Sequence, residues 1–125
     1  MKHFTSSVIS NSRIAENYYL MSFCWPEEIT APRPGQFITV RASGSTVPLL
    51  RRPFALSEYD SRTGKASIIY QRRGPGTNLI AAKPVGDEID LIGPLGNHVD
   101  TDALTGEVVL AAGGIGLGPI LFTSL

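Results

Sequence analysis

The segment Arg51-Arg52-Pro53-Phe54-Ala55-Leu56-Ser57 sets two guanidinium groups beside a proline. An arginine on a proline-stiffened strand presents a planar, permanently charged fork from a rigid base, a geometry suited to phosphate. Phe54 adds an aromatic face on which a planar ring can stack. The same residues also fit a plainer reading, a solvated arginine pair protecting an edge strand. A second segment, Ile69-Tyr70-Gln71-Arg72-Arg73-Gly74-Pro75-Gly76-Thr77, ends a strand, permits close backbone approach at two glycines and opens a helix at Thr77. Free N–H groups at a helix start favour a pyrophosphate, and the Thr77 hydroxyl can join them. An ordinary Gly-Pro-Gly turn with a threonine N-cap is the alternative. Together the two segments supply arginine, aromatic and helix-start donors, the chemistry a dinucleotide needs.

A third segment, Ala111-Ala112-Gly113-Gly114-Ile115-Gly116-Leu117-Gly118-Pro119, follows an apolar run and precedes a helix start. That context strengthens a glycine phosphate loop, although Gly114-x-Gly116-x-Gly118 lacks the full G-x-G-x-x-G spacing. Gly93-Pro94-Leu95-Gly96-Asn97 reads as a barrel-closing turn or part of a site, and His98 after it as a surface or packing residue. Cys24, the only cysteine, reads as a small buried filler beside Trp25. It cannot by itself form an intramolecular disulfide, zinc cage or iron–sulfur cluster, and it fits an intracellular, cytoplasmic setting. There is no paired-carboxylate, Ser/His/Asp or metal-ligand arrangement, so neither a catalytic side chain nor a metal site is assigned.

The elements that must position these residues are short. His3–Ser10, Asn17–Phe23, Gly35–Ala42, Pro48–Tyr59, Ala66–Arg73 and Glu88–Ile92 read as strands. The first two can pair as a hairpin across Asn11–Glu16. Phe37 and Val40 flank a bend or bulge, and Gly64 is the left-handed residue of a hairpin loop over Asp60–Lys65. A short helix spans Asn78–Lys83. Glu107–Ala112 is uniformly apolar after Glu107, as a strand buried on both faces would be, and Leu117–Leu125 starts a helix. Thirteen glycines and nine prolines in 125 residues, with no long amphipathic helical pattern, suit many short strands joined by defined turns. The six strands before residue 105 suggest a closed antiparallel barrel, and the strand–turn–helix after it the opening of a parallel α/β unit. The domains expected are residues 1–100, a linker at 101–106, and 107–125 as the beginning of a second, truncated domain. Eleven basic residues balance eleven acidic ones. That argues against a broad nucleic-acid or anionic-membrane surface.

The order of Pro34-Gly35-Gln36-Phe37, Leu49-Leu50-Arg51-Arg52-Pro53-Phe54, Ile69-Tyr70, Gly76-Thr77, Gly93-Pro94-Leu95-Gly96-Asn97 and Gly113-Gly114-Ile115-Gly116 resembles the ferredoxin–NADP reductase superfamily. Within it, Pro48-Leu49-Leu50-Arg51-Arg52-Pro53 and the Gly-Pro-Leu-Gly-Asn turn are similar to electron-transfer subunits of NAD-dependent (class B) dihydroorotate dehydrogenases. The resemblance implies a six-stranded FAD-binding barrel followed by an NAD-binding domain. It implies FAD contacts from Arg52, Pro53, Phe54, Ala55, Ile69, Tyr70, Gln71, Gly76 and Thr77, and an NAD-side loop at Gly113, Gly114 and Gly116. In the complete protein it implies NAD, a [2Fe–2S] cluster and a partner, the FMN-containing catalytic dihydroorotate dehydrogenase subunit. The fragment alone is then expected not to oxidise NADH. Three residues depart from the family pattern: Ala55 for Ser or Thr, Gln71 for Arg, and His98 for Gly. Backbone groups or Ser57 would have to replace the hydroxyl that Ala55 lacks. Another reductase of the superfamily (a flavin reductase, or a hydrogenase or sulfide dehydrogenase subunit) and a non-catalytic barrel module are the alternatives.

Overall fold

The computed structural model describes residues 2–41, 51–100, 106–112 and 117–124. Its strands are β1 (Lys2–Ala15), β2 (Tyr18–Cys24), β3 (Phe37–Arg41), β4 (Arg52–Asp60), β5 (Lys65–Gln71) and β6 (Glu88–Leu95). Helix α1 (Pro75–Ala81) lies between β5 and β6, and α2 (Leu117–Ser124) follows. The strands close a barrel in the order β1-β2-β5-β4-β3-β6 with every pairing antiparallel. The expected six-stranded barrel is thus the observed fold. Period-two alternation turns Met21, Phe23, Ile38, Val40, Leu56, Ala66, Ile68, Tyr70, Ile89 and Leu91 into one core. Ile80 of α1 is buried with them.

Two strands change partners along their length. β1 pairs with β6 over Lys2–Ser7 and with β2 from Val8 onward, with an irregularity between Val8 and Ser10. β4 pairs with β3 over Arg52–Ala55 and with β5 from Leu56, with an irregularity between Leu56 and Glu58. Such irregularities bend a strand and let a small sheet close on itself.

Several expectations shift. β1 runs through Asn11-Ser12 to Ala15, because Asn11 and Ser12 pair with Met21 and Leu20; the turn falls at Glu16-Asn17, with Asn17 at φ 62°. β6 is not stopped at Gly93. It runs on to Leu95, which pairs with Phe37 beyond the expected β3 irregularity, and the chain turns at Gly96, φ 80°. A Cβ on Gly93 would lie 2.7 Å from Ile38 Cγ2, so any larger residue there must displace the buried Ile38 side chain. Gly64 is left-handed as expected, φ 73°. Helix α1 begins a turn early, at Pro75, whose fixed φ suits a first helical position. Cys24 is exposed, not buried: Phe23 faces the core, so its neighbour faces out. Residues 107–112 form no strand and are exposed, Val109 by 91%, because no strand of the barrel pairs with them. Among the described residues no helix is long and apolar enough to cross a membrane.

Candidate functional site

The change of partner in β4 opens a groove. β4 and β5 are paired at Leu56 and Ile68, but Arg52–Ala55 pair with β3 while Tyr70 and Gln71 pair with β2. The two strands therefore diverge beyond Leu56. Arg52, Pro53, Phe54, Tyr70, Gln71, Arg73 and Thr77 line a space of about 280 Å³ there. A second space, also about 280 Å³, is lined by Arg52, Arg73, Gly74, Pro75, Gly76 and Thr77. The two share Arg52, Arg73 and Thr77 as walls, and neither has an acidic residue among the described residues of its lining.

The first space has an aromatic side. The Phe54 and Tyr70 rings are 5.6 Å apart and tilted by 59°, and Tyr19 stacks on Tyr70 at 5.7 Å. Tyr70 is fully buried and donates its hydroxyl to Asn11 Oδ1 at 2.7 Å. Burial pushes the phenol far above its ordinary value, so it remains a protonated donor. Arg72 turns away and holds its guanidinium 6.0 Å from the centre of the Tyr19 ring.

The second space is cationic. The Arg52 side chain has no hydrogen-bond or ion-pair partner among the described residues. Its guanidinium lies against Gly76: a Cβ there would stand 2.9 Å from Arg52 Nε. Asn78 N makes the first α-helical bond, to Gly74 O at 2.8 Å, so the amides of Gly76 and Thr77 precede the helical ladder. An unanswered guanidinium beside such amides is a setting for an oxyanion. Thr77 plays a different part from the one expected. It is the third helical residue and not the cap, which is Gly74. Its Oγ1 accepts from Arg73 N at 2.7 Å and Gly74 N at 3.1 Å, and donates to Gly74 O at 3.2 Å. The hydroxyl is spent on the turn.

The neighbouring guanidinium goes the other way. Arg51 pairs with the Asp90 carboxylate and donates to Asp90 O at 3.3 Å, while His3 Nε2 lies 2.7 Å from Asp90 Oδ1. Burial opposes ionisation of Asp90, but the hydrogen bonds from Arg51 and His3 outweigh it and hold the carboxyl below its ordinary value.

Of the residues singled out in the sequence, Arg52, Pro53, Phe54, Tyr70, Gln71, Gly76 and Thr77 converge on these two spaces. The Ala55 and Ile69 side chains are on neither lining. Ile69 instead faces a separate space of about 250 Å³ with Leu20, Ser22, Ser57, Ser67 and Leu121. Ser57 is buried there, its hydroxyl unpartnered and Gly118 of α2 packed at its Cβ, so it cannot replace the hydroxyl missing at Ala55. Gly113, Gly114 and Gly116 lie outside the described residues. Arg73, Gly74 and Pro75 were not among the assigned site residues, although the segment that carries them reads as a close-approach turn opening a phosphate-binding helix.

No family model matches the chain. It is 40% identical over 124 residues to the dihydroorotate dehydrogenase B (NAD(+)) electron transfer subunit of Geobacillus sp. (strain WCH70), covering 96% of this chain and 48% of that one. The chain spans about half the length of the curated relatives it matches. Its fold matches the cytochrome P450 reductase GcoB of Amycolatopsis with a TM-score of 0.81 at 25% identity, covering 98% of this chain and 38% of that one. It also matches, at TM-score 0.72 and 23% identity, a Malassezia yamatoensis flavohemoglobin with bound FAD and heme, covering 98% and 33%. The resemblance read from the motif order is borne out: the sequence is similar to these electron-transfer subunits, and the barrel is that of ferredoxin–NADP reductase-type proteins.

Proposed function

We propose that this chain is the FAD-binding part of a flavin-dependent electron-transfer subunit that moves electrons between NAD and an iron–sulfur centre serving an FMN-containing dihydroorotate dehydrogenase subunit. The observation that carries the reading is the Arg52 guanidinium, without a partner among the described residues, laid against the Cβ-free Gly76 in a groove whose described lining holds no acid and whose other end is walled by Phe54 and Tyr70. A dinucleotide needs that pairing of cationic and aromatic ends. The similarity to dihydroorotate dehydrogenase electron-transfer subunits supports the choice of flavin and partner.

Arg52 and the Gly76 and Thr77 amides hold the pyrophosphate in this reading; Arg73 adds charge, and Thr77 Oγ1 keeps the turn that presents the amides. Pro53, Phe54 and the Ala55 backbone border the ring system in this reading, with Gln71 nearer the linking chain. Ile69 contributes through its backbone. FAD, when bound, exchanges a hydride with nicotinamide and single electrons with an iron–sulfur centre; the protein supplies placement and electrostatics. No side chain acts as a general acid or base. Residues 1–100 form the FAD domain, 101–106 the linker, and 107–125 with Gly113, Gly114 and Gly116 the start of the NAD domain.

The test is titration of the purified protein with FAD. Yellow colour, quenched flavin fluorescence and one site per chain are expected; a folded protein that takes up no FAD refutes the reading. The likeness to a cytochrome P450 reductase supports a second reading, a reductase of the same fold serving another acceptor. Co-purification with a dihydroorotate-oxidising FMN subunit separates the two.

A further inference from the structure

We propose that Asn11 is a positioning residue of the groove, holding α1 and Tyr70 in the mutual placement that brings Gly76 against Arg52; this rests on the assignment of the groove to FAD. Asn11 lies in β1, opposite Met21, and lines neither space of the groove. Its Nδ2 donates to Ile80 O at 2.9 Å, Lys83 O at 3.0 Å and Ala81 O at 3.3 Å, and its Oδ1 accepts from the Tyr70 hydroxyl at 2.7 Å. Carbonyl oxygens only accept, so the nitrogen must face them and the oxygen must face the phenol. The amide therefore has one orientation, with both ends used.

Ile80 O and Ala81 O lie in the last turn of α1 and Lys83 O just past its end, where a helix is short of partners for its acceptors; Ile80 O also accepts from Lys83 N at 3.2 Å. This helix has little else to hold it. It is seven residues long, carries no acidic residue in its first turn and no basic one in its last, and its cap, Gly74, has no side chain. A helix that short is not stable by itself and takes its position from tertiary contacts. Those contacts include Ile80, buried in the core, Ala81 packed against it, Gly76 against Arg52, and the Asn11 amide. The other end of the same amide holds Tyr70, whose ring meets Phe54 on the aromatic side of the groove. One side chain thus links the wall beside the ring-binding space to the helix that carries the phosphate-binding amides.

Asn11→Asp and Tyr70→Phe separate the two halves of the linkage. The first keeps size and the acceptor for Tyr70 but turns a carboxylate oxygen toward three carbonyls; the second removes only the phenol bond. FAD dissociation constants are measured by fluorescence on protein shown to be folded by circular dichroism. The expected result is at least a tenfold loss of affinity in Asn11→Asp and a smaller but measurable loss in Tyr70→Phe. A parallel arm uses the unmodified protein: added FAD is expected to shift the side-chain amide resonances of Asn11, which lines no part of the groove. Native affinity in folded Asn11→Asp, or resonances unmoved by saturating FAD, overturns the proposal. If Asn11→Asp does not fold, the resonance experiment decides. An unmodified protein that takes up no FAD overturns the groove assignment and this proposal with it; FAD binding that ignores Asn11 overturns this proposal alone.

Discussion

Gly76→Ala should separate cofactor binding from stability, with opposite signs. The added Cβ would stand 2.9 Å from Arg52 Nε, and 3.4 Å from Cζ and Nη2. Ordinary contact begins near 3.5 Å, so the guanidinium must retreat by about half an ångström or more. It is a flexible side chain with no internal partner among the described residues, so the fold loses little by letting it go. The helix gains: alanine is better than glycine inside a helix by up to about 0.8–1.0 kcal/mol. The melting temperature of the cofactor-free protein should therefore hold or rise. Cofactor affinity should fall, because a displaced guanidinium forfeits a charge-assisted hydrogen bond, about 1.5–3 kcal/mol or about 10- to 150-fold in the dissociation constant. The assay is FAD titration by fluorescence beside thermal melts, on Gly76→Ala, Arg52→Ala and the double variant. Because the methyl acts through Arg52, its effect should vanish in the Arg52→Ala background. An equal loss of affinity in both backgrounds would show that the methyl meets the cofactor directly, and the reasoning through Arg52 would be wrong.

Arg52→Ala alone should weaken FAD binding by about 1.5–3 kcal/mol while moving stability by less than about 0.5 kcal/mol; an unchanged dissociation constant would return Arg52 to the role of a solvated surface residue. Asp90 has a lowered folded-state value, so its contribution to stability is fully present above the ordinary 3.8 and fades as pH falls through the lowered value. Thermal melts should then show Asp90→Asn less stable than the native protein at neutral pH, the gap closing in strong acid; a gap independent of pH contradicts this. Ser57→Ala removes a buried hydroxyl that has no partner among the described residues, and relief of an uncompensated burial of about 1–3 kcal/mol should raise the melting temperature. A lower melting temperature would mean that the hydroxyl is satisfied in solution.

Much of the architecture was legible along the chain, because it follows from local rules. Alternation in Phe37–Arg41, the strand-forming residues of Lys65–Gln71, the left-handed turn at Gly64 and the spacing of Pro, Gly and polar breaks mark six strands without reference to any neighbour. The order of the Arg-Arg-Pro-Phe, Tyr-Gln and Gly-Pro-Gly-Thr segments likewise pointed to one dinucleotide groove. Alternation also says that Arg51 and Arg52 face opposite ways, but not which of them meets an acid. That depends on β1 and β6 bringing His3 and Asp90 to Arg51. Pairing register decided the rest: it carried Ser57 under α2 and placed Asn11 at once beside Tyr70 and the end of α1, residues 59 and more positions away. The groove itself exists because β4 leaves β5 for β3 at Leu56. A strand's own residues set which side chains share a face, whereas the neighbour it pairs with is a property of the closed barrel.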